Sequence, residues 1–204
     1  MYDHVEILTQ RHAALIPCAG QIAQAFTLLH TSLSRGGTLF LAGNGGSAAD
    51  ADHWSGELLK GFCKRRPLPA AECQSMRAEM ASALQGGLRA IPLTGFAAFS
   101  TAFANDVDSQ YVWAQLVYTL GRAGDVFIGL STSGNAGNVC LAAEAARGKG
   151  LQVLGLTGKQ GGRLKPLCDV CIDVPETETY KVQELHLPVY HCLALMVEDA
   201  FFAH

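Results

Sequence analysis

Thr38-Leu39-Phe40-Leu41-Ala42-Gly43-Asn44-Gly45-Gly46-Ser47 is an apolar run ending in a turn of small residues, and Ala48–Leu59 after it has helical spacing. A similar arrangement follows later. Val126-Phe127-Ile128-Gly129-Leu130 runs into Ser131-Thr132-Ser133-Gly134-Asn135, and then into the helix-like stretch Asn138–Arg147. Small residues let the backbone approach a ligand closely, and the amides at a helix start point outward with partial positive charge. Strand, turn and helix in that order make an anion site, most often for phosphate. Two such turns in one chain imply a phosphorylated small molecule held between them.

Outward from these turns, strand and helix patterns alternate. Residues 3 to 33 are helical in spacing, divided at Pro17 and ended by Arg35-Gly36-Gly37. Thr38–Ala42, Ala90–Leu93, Val126–Leu130, Gln152–Leu156 and Val170–Val174 read as strands. Between them lie helix patterns at Ala48–Leu59, Ser75–Leu84, Ser109–Leu120, Asn138–Arg147 and, briefly, Leu164–Leu167. Lys181–Phe202 closes the chain as a long helix interrupted at Pro188. Such alternation predicts an α/β fold, a three-layer αβα sandwich around a parallel sheet of about five strands. Ligands of these sheets sit beyond the carboxyl ends of the strands, where both turns fall.

The 204 residues fit a single domain, 1–204, with an N-terminal helical segment over 1–36 and an insertion-like segment over about 63–88. A hydrophobic fraction of 49% against 16% charged residues predicts a well-buried protein that can also hide surface in an oligomer. The net charge of −3 gives no reason to expect nucleic acid as a partner. The cluster Lys64-Arg65-Arg66 reads as a solvated loop. No apolar run is read as approaching the roughly 18 residues that span a bilayer, so no membrane partner is expected. Seven cysteines, an odd number without an export pattern, read as reduced and mostly buried thiols. Cys168-Asp169-Val170-Cys171 has C-x-x-C spacing but no second pair, and reads as structural. The compartment expected on these grounds is the cytoplasm.

Nucleotide fingerprints are absent. Gly43–Ala48 lacks both the last glycine of G-x-G-x-x-G and an acidic residue about 20 positions on. Thr157-Gly158-Lys159-Gln160-Gly161-Gly162 has no Ser or Thr after its lysine, and reads as a plain loop.

The helix after the first turn carries Asp50, His53 and Glu57 on one face, the last two roughly 6 to 13 Å along the axis from the anion turn. The final helix offers Gln183, Glu184, His186 and His191. Isomerising a sugar phosphate needs a base for the proton beside the carbonyl, an acid to move protons between the oxygens, and a stabilised enediol. A carboxylate and an imidazole facing one cavity can share those transfers. Two histidines, a glutamate and a glutamine also suit a divalent metal, zinc being the natural candidate.

Leu41-Ala42-Gly43-Asn44-Gly45-Gly46-Ser47-Ala48-Ala49-Asp50-Ala51-Asp52-His53 with Glu57 resembles the first motif of the sugar isomerase (SIS) fold, and more narrowly the bacterial phosphoheptose isomerases. Ala104-Asn105-Asp106, Gly129–Asn135 and Val182–His191 agree in order and spacing. The resemblance implies that Glu57 and His191 are the catalytic acid/base pair, and that His53, Glu57, Gln183 and His191 bind zinc. It also implies that Gly45, Gly46, Ser47, Ser131, Thr132 and Ser133 hold the phosphate, while Asn44, Asn105, Asp106 and Gln183 meet the substrate. The implied assembly is a homotetramer with active sites at subunit interfaces. The implied reaction converts sedoheptulose 7-phosphate to D-glycero-D-manno-heptose 7-phosphate, for the heptose of cell-envelope glycans.

Three departures stand out. Ala136 replaces a phosphate-binding serine, Gly61 replaces an arginine after the catalytic helix, and Ala70–Gly87 looks inserted. Two other readings are a non-catalytic adaptor of the same fold that binds a replication initiator, and an isomerase for a different sugar phosphate.

Overall fold

Strand β1, Leu39–Gly43, is buried along its whole length. Leu39 and Leu41 enter one apolar layer, and Phe40 and Ala42 enter the other. Alternating side chains on a strand point to opposite faces, so an uninterrupted apolar run belongs to a sheet covered on both sides. The computed structural model describes residues 3–202. Its sheet has the order β2-β1-β3-β4-β5, where β2 is Ala90–Pro92, β3 Val126–Ser131, β4 Gln152–Thr157 and β5 Val170–Asp173. All four pairings are parallel. The α/β, three-layer expectation therefore holds, and each strand lies within two residues of its expected bounds.

One face of the sheet is covered by helices α1 (Asp3–Arg11), α2 (Ala19–Leu33), α3 (Gly46–Leu59) and the long C-terminal helix, whose buried residues share one cluster. Pro17 sits in a 3-10 turn, Ala13–Cys18, that divides α1 from α2 as expected. The segment after α3 departs from expectation. Instead of one helix over Ser75–Leu84 it forms two short ones, α4 (Ala70–Cys73) and α5 (Ala78–Ala83), because Arg77 between them is extended. A helix absent from the sequence reading, α6 (Ala97–Phe103), runs into a π-helical turn over Ala104–Asp108. Helices α7 (Val112–Leu120) and α8 (Gly137–Gly148) cover the second face around Trp113, Leu116, Val117 and Val139. Helix α9, Thr179–Phe201, continues through Pro188.

One further expectation needs correction. Ala13–Leu33 is a 21-residue helical stretch of mean hydropathy 1.2, long and apolar enough to cross a membrane, where the sequence reading found no such run. In the fold it is a core element. Ile22, Ala25, Phe26, Leu28, Leu29 and Leu33 are buried in the cluster shared with α9.

Register decides where the two turns go. Leu39 pairs with Val126 and Gly43 with Leu130, so β1 and β3 end level with each other. The turns that follow them are thereby neighbours, at the carboxyl edge of adjacent strands.

Candidate active site

Gly45, with φ +54, turns the chain into α3 at Gly46, two residues before the expected start. A Cβ on Gly43 would stand 2.6 Å from the Ser47 carbonyl oxygen, so only glycine permits this tight entry. In the second turn Gly134, with φ +66, donates to the Ser131 carbonyl at 2.9 Å, and its own carbonyl accepts from Leu164 N at 2.9 Å. Gly158 N donates to the Thr132 carbonyl at 2.9 Å, so the Thr157–Gly162 loop buttresses the Ser131–Asn135 turn. The two turns are also tied to each other. Asn44 and Asn138 exchange amide hydrogen bonds, each at 3.0 Å. Asn138 was missed by sequence reasoning, since nothing in the spacing marks a cross-chain amide pair.

Between the turns lies a cavity of about 310 Å³ lined by Asn44, Gly45, Gly46, Ser47, Ser131, Thr132, Ser133, Ala136, Thr179 and Gln183. No lining side chain is acidic. The N-cap residues Gly45 and Ala136 provide no side-chain cap. The amides of Ser47, Ala48 and Val139 are bonded to Asn44 O, Gly45 O and Asn138 Oδ1, which leaves those of Gly46, Gly137 and Asn138 to meet an anion. Gln183 reaches the cavity because α9 packs on the first turn of α3. A Cβ on Gly46 would stand 2.9 Å from the Gln183 side-chain carbon Cδ.

Farther along α3 is a second polar group. His53 Nε2 is 3.2 Å from Glu57 Oε1, and His53 Nδ1 is 2.9 Å from the Tyr190 hydroxyl. Tyr190 also donates to Asp50 Oδ1 at 3.3 Å. The His191 ring lies edge-on to His53, with centroids 5.1 Å apart. Lys60 Nζ reaches Glu57 Oε2 at 3.0 Å. Burial pushes the His191 pKa down, His53 adds to this and Glu57 opposes it. His191 is therefore neutral near pH 7, and its Nε2 is buried without a hydrogen-bond partner. Burial raises the Asp50 and Tyr190 pKa values. Glu57 and His191 thus share one environment, bridged by His53. Seven and eleven residues from the start of α3, His53 and Glu57 stand about 10 and 16 Å from the anion turn. That separation suits a phosphorylated carbon chain lying along the helix, not a lone phosphate.

Other expected site residues fall elsewhere. Asn105 and Asp106 are exposed on the π-helical turn, outside the cavity lining, and Asn105 Nδ2 donates to Asp106 Oδ1 at 2.9 Å. Glu184 is exposed, and His186 points into the core, fully buried. Burial pushes the His186 pKa down to about 4. Between pH 6.5 and 4 the unfolded chain binds a proton that the native state refuses, so stability is lost as pH falls through this window. The loss between pH 7.5 and 5 comes to about 2 kcal/mol from this residue alone. Denaturant titrations at matched protein concentration should show that loss, and His186→Leu should remove most of it. An unchanged pH slope in the variant overturns the assignment.

The Lys64–Arg66 cluster is not a solvated loop. Arg66 is 0% exposed, and its guanidinium is 2.8 Å from the equally buried Glu198 and lies over the Phe202 ring at 4.4 Å. Lys64 pairs with Asp199 at 2.7 Å. Gly61, where the resemblance led one to look for arginine, has no room for a side chain. A Cβ there would overlap the Lys64 carbonyl and stand 2.7 Å from Gln85 Oε1, which accepts the Gly61 amide hydrogen bond at 2.9 Å. The inserted segment therefore closes directly onto the end of α3. All seven cysteines are free. The sulfurs of Cys168 and Cys171 crowd Gly155, at 2.6 and 3.3 Å from where its Cβ would be, which agrees with a packing role for the pair.

As a metal site, the donor set is chemically apt: two imidazoles, a carboxylate and a carboxamide suit a borderline divalent ion. His53, Glu57 and His191 are neighbours, and the partnerless His191 Nε2 is available to a ligand. Among the described residues, however, no three His, Cys, Asp or Glu side chains already converge as a metal cluster.

The sequence matches the SIS domain family over residues 7–158. A phosphoheptose isomerase of Rhodospirillum rubrum is 42% identical over 184 residues, 90% of this chain and 87% of that protein. One from Aneurinibacillus thermoaerophilus is 38% identical over 89% of this chain and 82% of that protein. The solved phosphoheptose isomerase of Neisseria gonorrhoeae superimposes with a TM-score of 0.75 at 30% identity, covering 97% of this chain and 93% of that one.

Proposed function

Because the chain belongs to the SIS domain family, we propose that its cavity takes a ketose phosphate and that the enzyme is a sedoheptulose 7-phosphate isomerase. The observation that carries the reading is the meeting of Glu57 and His191 around His53, one helix length from an anion cavity without carboxylates. The phosphate binds Ser47, Ser131, Thr132, Ser133 and the free amides of α3 and α8, with Asn44, Gly45 and Gly46 shaping the turn. Ala136 contributes a methyl group to this wall, so the serines around it carry the hydroxyl contacts. Asn105 and Asp106 reach a substrate only if they complete the site of a neighbouring copy.

The reaction is a proton relocation without net change in atoms. A proton leaves C1 of the ketose, an enediol forms across C1 and C2, and a proton arrives at C2 to give the aldose. A carboxylate and a neutral imidazole divide this work. One removes the C1 proton and returns one to C2, while the other passes a proton between the two oxygens. Tyr190 and Asp50 hold the His53 ring, which in turn orients Glu57. Lys60 Nζ holds the other carboxylate oxygen of Glu57 at 3.0 Å. Zinc held by His53, Glu57, Gln183 and His191 would add Lewis-acid polarisation of the carbonyl.

Homotetrameric assembly is supported by large apolar side chains left outside: Ile16 is 60% exposed, Val107 64%, Tyr118 61% and Tyr180 56%. The free cysteines favour a reducing compartment such as the cytoplasm. The test is incubation of purified protein with sedoheptulose 7-phosphate, with and without added zinc, followed by NMR of the sugar. Formation of D-glycero-D-manno-heptose 7-phosphate supports the proposal, and its absence in both conditions overturns it. Faster turnover of a pentose or hexose phosphate would move the substrate assignment while leaving the reaction class.

A further inference from the structure

Just beyond the proton-transfer cluster, α3 and α9 are joined through one buried ion pair. Glu198 follows His191 by seven residues on α9, two turns on and about 20° from the same stripe. Its carboxylate is 1% exposed and the Arg66 side chain 0%. Arg66 Nε and Nη2 both reach Glu198 Oε1, at 2.9 and 2.8 Å. The far side of the same guanidinium caps α3. Nη1 donates to the Leu58 carbonyl at 2.8 Å, and Nη2 to the carbonyl of Glu57 itself at 3.2 Å. These belong to the last turn, where a helix leaves acceptors unsatisfied and its dipole favours a cation. The Glu198 carboxylate also accepts from the amides of Phe62 at 2.8 Å, Cys63 at 2.8 Å and Lys64 at 3.1 Å, gathering the chain that leaves α3.

Net stability is a poor reason for such a pair, since removing two charges from water offsets most of their attraction, and apolar replacements often do as well. Geometry offers a better reason. We propose that Arg66 and Glu198 are positioning residues for the isomerisation, bracing the final turn of α3 against α9 and so setting where Glu57 stands relative to His191. The proposal rests on the reading of those two side chains as the proton-transfer pair. The brace lies at the opposite end of α3 from the phosphate turn, so its loss acts on chemistry and not on capture of the phosphate.

Arg66→Lys keeps the charge but cannot span two carbonyls and a carboxylate at once. Glu198→Gln keeps the shape but weakens every contact. The double variant Arg66→Met/Glu198→Leu removes both charges while filling the space, which keeps the measurement possible if a single variant fails to fold. In each folded variant kcat should fall about 10- to 100-fold, the scale of an ångström-size misplacement. KM should stay within about twofold. Hydrogen exchange should speed up at the amides of Phe62, Cys63 and Lys64. A variant with released amides and a wild-type kcat overturns the proposal, as does a loss of activity that only tracks the unfolded fraction seen by circular dichroism. Glu57→Gln is measured alongside. If it keeps the wild-type rate, the acid/base reading falls and the brace with it. If it is inactive while Arg66→Lys is normal, only the brace falls.

Discussion

Glu57→Gln and His191→Gln each lower kcat by about 10²- to 10⁴-fold, the scale of general acid–base groups. Glutamine preserves the size of Glu57 and still accepts from Lys60 and His53, so the α3 surface stays intact while the proton acceptor is lost. At position 191 it retains a polar group beside His53 but no basic nitrogen. Neither residue lines the cavity between the turns, so KM should change far less than kcat. Single-turnover assays with sedoheptulose 7-phosphate check this, with circular dichroism to verify folding. A near-normal rate in either folded variant means that the roles are misassigned.

Gly134→Ala should destabilise the fold by about 3 kcal/mol or more, toward the severe end for single substitutions. Two costs combine. An L-residue at φ +66 carries about 1–2 kcal/mol of backbone strain. The added methyl would also overlap the Gly161 carbonyl and stand 2.8 Å from Gly162 N. These obstacles are main chain, so no rotamer change relieves them. The Ser131–Asn135 turn and its buttress must separate, which also opens the anion cavity. Gly36→Ala is the control, since Gly36 has φ +76 but nothing within 4 Å of its added Cβ, and it should lose only the strain. Denaturant unfolding of both variants decides the matter. Equal losses at the two positions would refute the close approach at Gly134.

The sheet was legible because each strand is a continuous apolar run bounded by small or polar residues, which parallel strands covered on both faces require. The anion turns were legible for the same local reason. What escaped is long-range. Arg66 belongs to a run of three basic residues that looks like any solvated loop, and its burial follows only from a glutamate on the last helix. The Ala97–Phe103 helix carries too little polar contrast to show a face. His186 and His191 were read together, although five residues place them about 140° apart on a helix. The stripe Val182, His186, Val189, Leu193 was the available sign that His186 faces the core, and all four are indeed buried. Asn105 and Asp106 were legible as a motif, but a single chain does not bring them to the cavity.

Strand β2 has three residues and forms one margin of the sheet, and Leu39 N donates its hydrogen bond to the carbonyl of Arg89. By the alternation of a parallel ladder, Ile91 then turns its amide toward β1 and Pro92 turns its nitrogen outward. A proline has no hydrogen to offer there, so an incoming strand would find a rim too short to template it and lacking a donor. Copies of this chain cannot polymerise by continuing the sheet past that rim. Contacts between copies on this side must be made by side chains, and their number is limited by how helical surfaces fit.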